Sequence, residues 1–360
     1  MAKSEATTID VDGREVRVTS PSRIIFEATD QTPAVTKLEV CEYFAAVGQA
    51  LMHALGGRPM ALERWPGGWR EGMRLATGPQ DRDGDGFYQK RLPKGAPSWL
   101  ETVQVRTPNG RPIDELCPSE PAAFVWAAQM GTLTFHPWAV RRPELAHPDE
   151  LRIDLDPDGG ATFADVKQVA VAARDLLVEL GLTPFVKTSG SRGLHLYVRL
   201  EPVYTFQDLR HAAIGLGREL ERRGAGVTTS WWREERPKGS IFIDFNQNLE
   251  DRSVAGAWSV RARPGAPVST PLTWDQLEEL TDLNAYHLRT VPDHLAGGDP
   301  WQDIDQVQHS LAPLLELWEE LPGGELNFPP DYPKMPGEPP RVQPSKKVAA
   351  HWDAEGNRIG

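Results

Sequence analysis

Between Leu151 and Phe245 the chain carries a succession of apolar periodicities that few folds can satisfy. Leu151, Ile153 and Leu155 alternate with Arg152, Asp154 and Asp156, the period of two that marks a strand with one buried face. Thr162 and Asp165 then predict the capped start of a helix carrying Val166, Val169, Ala170, Ala173, Leu176, Leu177 and Leu180, stopped at Gly181. A strand over Pro184 to Lys187, a glycine-rich turn and a strand alternating Leu194, Leu196, Val198 and Leu200 follow. Thr205 and Asp208 cap a second helix ending at Gly224, and a last strand over Ile241 to Phe245 pairs with a segment near Val227 to Trp231. In order this is β-α-β-β-α-β, the split βαβ arrangement, in which the first strand lies between the third and the fourth. The fold class expected is α/β (α+β): an RRM-like palm preceded by an N-terminal α/β subdomain.

On that palm Asp154 and Asp156 point the same way, roughly 6.5 Å apart along the strand. Asp244 arrives beside them from the last strand, and three carboxylates suit one or two hard divalent cations. Such ions can activate a hydroxyl and stabilise a leaving pyrophosphate. A lone Asp-x-Asp before Pro157 more often caps a turn, and the third aspartate shifts the balance toward metal binding. Ser189-Gly190-Ser191-Arg192-Gly193-Leu194-His195 forms a small-residue turn whose N–H groups can face a phosphate, with Arg192, Ser189 and His195 assisting. Arg261 and Arg263 alternate after Ser259 and Val260, so one strand face would carry both guanidinium groups; a plain exposed strand explains them equally. Asp81-x-Asp83-x-Asp85-Gly86 has the start of a calcium loop but Leu92 at the twelfth position, and is read as a polar loop.

Elsewhere Ile9 to Val18 alternate around Asp12-Gly13, the pattern of a hairpin. Thr36 and Glu39 predict a capping box for a helix running to Gly56-Gly57. Eight prolines in 322–344 predict an extended tail, draped over the surface or left as a linker. The boundaries expected are an N-terminal extension over 1–15, the N-terminal part of the catalytic unit over 16–135, the palm over 136–310, and a helix with the Pro-rich tail over 311–360.

Charge bears on partners. The 360 residues hold 39 Lys and Arg against 51 Asp and Glu, net −12, which argues against unspecific nucleic-acid binding. From Arg58 to Arg111, however, ten basic residues face six acidic ones, interleaved with Trp65, Trp69, Phe87, Tyr88 and Trp99, a pattern that can track phosphates and stack bases. Taken alone, such a segment is more often a solvated face over core aromatics. Two cysteines, Cys41 and Cys117, exclude a disulfide framework and a cysteine-ligated zinc. The uncharged stretch from Pro121 to Val140 contains two prolines, Gln129, Gly131 and His136, and reads as helix, turn and strand instead of a membrane span. With no apolar signal core after Met1, a cytoplasmic location is expected.

Several of these stretches together resemble the polymerase domain of bacterial DNA ligase D, within the archaeo-eukaryotic primase superfamily, and above all its stand-alone actinobacterial primase-polymerases. The resemblance rests on Gly86-Phe87-Tyr88-Gln89-Lys90, Arg152-Ile153-Asp154-Leu155-Asp156-Pro157, Lys187-Thr188-Ser189-Gly190 through His195, Phe242-Ile243-Asp244-Phe245-Asn246-Gln247-Asn248 and Ser259-Val260-Arg261-Ala262-Arg263-Pro264-Gly265, and runs from about Val16 to Lys347. It implies an archaeo-eukaryotic primase fold, Asp154, Asp156 and Asp244 as catalytic metal ligands, and two ions, Mn²⁺ or Mg²⁺. It implies that Ser189, Arg192 and His195 hold the incoming triphosphate, with His136 near the nucleotide, Arg261 and Arg263 on phosphates, and Phe87 and Tyr88 on the base or template. Lys37, Arg23, Arg64, Lys90 and Gln247 are the DNA-binding residues expected.

The family extends primers or fills short gaps in DNA repair, often with ribonucleotides, so NTPs or dNTPs and a primer-template or gapped DNA are the implied substrates. A separate ATP-dependent DNA ligase and an end-binding protein follow by analogy, because no K-x-D-G ligase motif occurs in the chain. Arg23 stands where the family uses a lysine to grip a 5′-phosphate, and Glu63 precedes Arg64 where another basic residue is usual. A non-catalytic RNA-recognition module and a metal-dependent nuclease are the competing readings. The former would need aromatics where Asp154, Asp156 and His195 stand, and the latter no triphosphate cradle.

Overall fold

Asp12 and Gly13, with φ of 53° and 86°, close a hairpin of β1 (Ala6–Val11) and β2 (Arg14–Thr19), the turn that Asp-Gly favours. The computed structural model describes residues 5–76, 78, 81–106, 110–142 and 144–341; the tail expected beyond Arg341, with Pro344 and Lys347, lies outside the described residues. A short pair, β3 (Ile24–Phe26) and β4 (Val35–Thr36), leads into the Thr36/Glu39 capping box of α1 (Lys37–Ala46). The single helix expected there is broken: α1 ends at Val47 and α2 (Gly48–Leu55) begins anew. Gly48 packs closely, since a Cβ there would lie 2.9 Å from Pro121.

The N-terminal sheet is built on β5 (Met60–Arg64), which pairs with β6 (Phe87–Gln89) and with β8 (Pro112–Leu116), β8 pairing in turn with β7 (Thr102–Arg106). Helix α3 (Ala122–Gln129), buried from Ala122 to Ala128, and β9 (Thr132–Pro137), antiparallel to β5, fulfil the helix-turn-strand expected over Pro121 to Val140.

The palm follows as β10 (Glu150–Pro157), α4 (Phe163–Glu179), β11 (Phe185–Thr188), β12 (Leu194–Arg199), α5 (Phe206–Arg222), β13 (Val227–Thr228) and β14 (Ile241–Ile243). With β15 (Pro271–Leu272) the strand order is β13-β14-β10-β12-β11-β15, so the first strand does lie between the third and the fourth. Thr162 and Asp165, and Thr205 and Asp208, form complete capping boxes on α4 and α5. Both helices bury their apolar stripes against Leu151, Ile153, Leu155, Leu194, Leu196 and Val198, each such side chain contributing roughly 1.5–3 kcal/mol. The opposite face of the sheet is not open to water: Arg152, Lys187, His195 and Tyr197 on it are buried. Among the described residues three further α-helices follow, α6 (Trp274–Glu279), α7 (Val291–Ala296) and α8 (Ala312–Glu320). None of the helices is long and apolar enough to cross a membrane among the described residues.

A buried ionic cluster fastens the two sheets together. Arg58, just before β5, donates to Asp149 at 2.5 Å and 2.9 Å and lies 3.0 Å from Glu150. Arg152 donates to Glu150 at 2.8 Å and to the carbonyl of Pro137 at 2.8 Å, at the end of β9. Arg199, opposite Glu150 in the register, completes the cage. Burial alone would raise the Glu150 carboxyl, but Arg58, Arg152 and Arg199 overcome it and hold it well below the usual carboxylate range. Glu150→Ala would strand buried guanidinium groups, and is expected to cost about 3–5 kcal/mol, read as a lowered urea midpoint.

Candidate active site

The pleat of β10 sets Asp154 and Asp156 on one face, while Asp244 comes from beyond the sheet ladder. Instead of continuing to Phe245, β14 stops at Ile243, and Asp244 caps a short 3-10 turn, Phe245–Asn248. Its N–H donates to the Asp154 carbonyl at 3.0 Å, which delivers its carboxylate to the same place. Oxygens of Asp154, Asp156 and Asp244 lie within 4.8 Å of one another. Asp154 is only 9% exposed; burial pushes its carboxyl well above the ordinary value, and Asp156 and Asp244 add to the rise. Burial also raises Asp244, against the opposing hydrogen bond from Gln247. Gln247, expected at DNA, donates to Asp244 Oδ2 at 2.8 Å, and the Asn246 N–H donates to Oδ1 at 3.2 Å. Three carboxylates this close, one of them desolvated, repel one another unless a cation sits between them, so the donor set fits a hard divalent ion.

Asp154, His195 and Lys187 stand in a row across three adjacent strands. His195 is the register partner of Asp154, and Lys187 the register partner of His195. Lys187 Nζ lies 2.5 Å from Ser269 Oγ and 2.9 Å from His195 Nδ1, and His195 Nε2 lies 3.3 Å from Asp154 Oδ1. Since Ser269 donates onward to the Thr188 carbonyl, Lys187 is the donor to Ser269 and to Nδ1, which leaves the imidazole proton on Nε2, facing Asp154. Burial, reinforced by Lys187 and Arg261, pushes His195 well below its ordinary value, so the ring is neutral. Lys187 stands in the sequence only at the head of the Lys187-Thr188-Ser189-Gly190 stretch, with no role expected of it; a lysine inside the strand Phe185-Val186-Lys187-Thr188 is a further signal.

The Ser189 turn differs from the open nest expected. Ser189 Oγ accepts the N–H groups of Ser191 at 3.2 Å and Gly193 at 3.1 Å, so these donors point at the turn's own hydroxyl. Gly190 has φ of 68°, and a Cβ there would come 2.5 Å from Arg261 Cγ; the glycine lets Arg261 lie over the turn, with Nη1 donating to the Ser189 carbonyl at 2.9 Å. Arg261 and Arg263 are not on a strand. Val260 makes only an isolated bridge to Val268, and Pro264-Gly265, with Gly265 at φ of 78°, bend the chain into a turn. Arg192 and Arg263 are exposed.

On the N-terminal side His136 Nε2 lies 3.1 Å from Glu63 Oε2, and Trp65 Nε1 donates to the other Glu63 oxygen at 2.9 Å. Glu63, which the sequence shows only as an acid in an otherwise basic stretch, thus orients His136. The Tyr88 ring meets His136 edge-on at 5.1 Å, and Phe87 and Tyr88 are 38% and 47% exposed. Phe87, Tyr88 and His136, with Lys90, Gln247 and Asp251, line a cavity of about 870 Å³. Arg261 acts on both sides, its charge felt by Glu63 and by Asp154.

The expected DNA contacts all have internal partners. Lys90 pairs with Asp251, Arg64 donates to the Met130 carbonyl at 2.9 Å and lies over Phe87, and exposed Arg23 donates to Pro66 at 2.9 Å. Lys37 is buried, with Nζ on the Thr19 carbonyl at 2.8 Å. Of these residues, Lys90 and Gln247 line the cavity.

Glu115, fully buried on β8 in the field of Lys90 and Asp251, has its carboxyl pushed up to about 8 by burial. Between its ordinary 4.5 and about 8 the folded state holds the proton that the unfolded state has released, so the contribution of this group to stability falls as pH rises through that window. Glu115→Gln is expected to flatten the decline and to leave the variant the more stable form at pH about 9, as thermal unfolding across pH would show.

The geometry has known counterparts. The family described as "LigD, primase-polymerase domain" matches residues 36–301. The multifunctional non-homologous end joining protein LigD of Pseudomonas aeruginosa is 32% identical over 301 residues, 82% of this chain and 34% of that protein. The corresponding LigD of Mycolicibacterium smegmatis is 29% identical over 301 residues, 83% of this chain and 36% of its own length. The chain therefore spans about a third of these relatives. A solved structure, the polymerase domain from Mycobacterium tuberculosis ligase D in complex with DNA, is similar with a TM-score of 0.70 and 28% identity, covering 82% of this chain and 99% of that one. The chain belongs to the LigD primase-polymerase domain family.

Proposed function

We propose that this chain is a metal-dependent, template-directed nucleotidyltransferase that extends primer ends and fills short gaps in DNA during end-joining repair. The observation that carries the reading is the convergence of Asp154, Asp156 and Asp244 within 4.8 Å, next to a neutral His195 and the Arg261-braced Ser189 turn. The relatives, named as non-homologous end joining proteins, and the DNA in the similar structure support it.

In this reading the three carboxylates would hold two divalent ions, preferentially Mn²⁺. When bound, such ions supply the Lewis-acid charge that activates a primer 3′-hydroxyl and offsets charge on the departing pyrophosphate. The chain's own residues bind and orient. His195 Nε2–H, Ser189, Arg192, Arg261 and Arg263 would meet the triphosphate of an incoming NTP or dNTP. Tyr88, held by His136, and Phe87 would stack on a base at the cavity mouth, and Lys90 and Arg64, with exposed Arg23, would meet the DNA backbone. A ligase and an end-binding protein, as separate partners, remain part of the proposal by analogy. Carboxylates on the sheet face disfavour an RNA-recognition module, which needs aromatics there.

Extension of a labelled primer across a short gap with Mn²⁺ tests this directly. Wild type is expected to add nucleotides, with ribonucleotides the better substrates. Asp154→Ala with Asp156→Ala is expected to lose at least roughly 10²–10³-fold in rate, the scale of one lost electrostatic contact at a reacting centre. Wild type that binds DNA but adds nothing would sink the catalytic reading. His195→Ala is expected to raise KM for the triphosphate and to lower kcat, with DNA affinity unchanged in a fluorescence titration.

A further inference from the structure

Asp244 is the least supported of the three carboxylates by the sheet, because β14 has ended before it and only the short turn Phe245–Asn248 follows. The support comes from a distant part of the chain, beyond residue 301 where the family match ends. Helix α8 lies against α5 so closely that a Cβ on Gly215 would come 2.7 Å from the Leu314 carbonyl. The chain then returns as a strap across α5. Arg210 of α5, fully buried, receives the strap: its Nη2 donates to the carbonyls of Leu326 at 2.8 Å and Asn327 at 3.1 Å, and it pairs with Glu325. The guanidinium lies 3.8 Å over the Phe328 ring and 5.0 Å over that of Phe245.

From Arg210 the contacts lead to the active site. Arg210 Nε donates to Asn246 Oδ1 at 2.8 Å, and Asn246 Nδ2 donates to the Asn327 carbonyl at 3.0 Å. The N–H of the same Asn246 holds Asp244 Oδ1 at 3.2 Å. A second anchor lies downstream: Tyr332 donates to the Glu250 carbonyl, and Asp331 pairs with Arg252, a residue of the cavity wall. The strap is closed on itself by Glu338, which accepts the Phe328 N–H at 3.1 Å, and by Arg341, which donates to the Tyr332 carbonyl at 2.7 Å. Partners one shell out from a metal ligand fix its orientation, and losing one costs about 10–100-fold in metal affinity or activity.

We propose that the C-terminal strap Glu325–Arg341, joined through Arg210 and Asn246, is a positioning element for Asp244, so that residues outside the family match belong to the polymerase machinery of this chain. This rests on the reading of Asp244 as a metal ligand. Arg210 and Asn246 are positioning residues, since neither reaches substrate; they act by holding the Asp244 turn.

The test uses the full chain with Arg210→Lys, Asn246→Ala, the two combined, and Glu325→Gln on the strap itself. Mn²⁺ binding is followed directly by the electron paramagnetic resonance signal of the free ion, and primer extension is resolved into kcat and KM. Expected are Mn²⁺ affinities about 10-fold weaker in Arg210→Lys and Asn246→Ala, lowered kcat, unchanged DNA affinity, and a double variant no worse than the more affected single one. Glu325→Gln, which leaves every other contact of Arg210 in place, shifts in the same direction and keeps the test open should Arg210→Lys fold poorly. Variants that melt earlier yet bind Mn²⁺ and turn over as wild type does would overturn the proposal and leave the strap a stabilising segment. A wild type that binds no Mn²⁺ at all would overturn the metal reading of Asp244 as well, a result distinct from the first.

Discussion

The position of every group in the cleft depends on a carboxylate that takes no part in it, Glu150, enclosed by Arg58, Arg152 and Arg199. The cluster joins the lead-in to β5, the end of β9 and the first residues of β10. Arg152 fixes the Pro137 carbonyl, one residue past His136, while Asp154 lies two residues further along β10. The separation between the His136 side and the carboxylate side is therefore set by a short path through buried ionic bonds. Such bonds are costly to desolvate and still costlier to leave unpaired, which favours one relative placement of the two sheets over its neighbours.

The same face of β10 shows how charge is tolerated without water. Glu150, Arg152 and Asp154 follow one another at alternate positions, and β12 answers with Arg199, Tyr197 and His195 in register. An ion pair, an aromatic face and a neutral imidazole succeed one another as the row approaches the cleft. Compensation is complete at Glu150, which is held ionised, and incomplete at Asp154, whose carboxyl is driven up by burial. Arg261 supplies positive charge at one remove, and a cation among the carboxylates would complete the balance.

Much of this was legible in the sequence. The period of two in 151–156, the capping boxes at Thr36, Thr162 and Thr205, and the order of elements in the palm follow from local chemistry, and local chemistry decided them. The features that escaped depend on residues far apart. Asp244 shares a place with Asp154 through a turn and a backbone hydrogen bond, not through a continued strand. Arg261 and Arg263 leave the sheet because Pro264-Gly265 bends the chain, while the approach of Arg261 to Gly190 is visible only after folding. Glu63 looked like a departure from a basic pattern and proves to be the partner of His136. At the break Val47-Gly48 the chain packs against Pro121, more than seventy positions away in sequence.

The outermost strands of the palm bear on the behaviour of the molecule in a crowded solution. A sheet edge is a row of unused donors and acceptors, ready to be extended by a strand from another molecule. Here each edge strand is two residues long, Val227–Thr228 on one side and Pro271–Leu272 on the other, and the second begins with an imino acid that has no N–H to offer. A six-stranded sheet with a strongly apolar interior thus ends, on both sides, in too little backbone to template self-association.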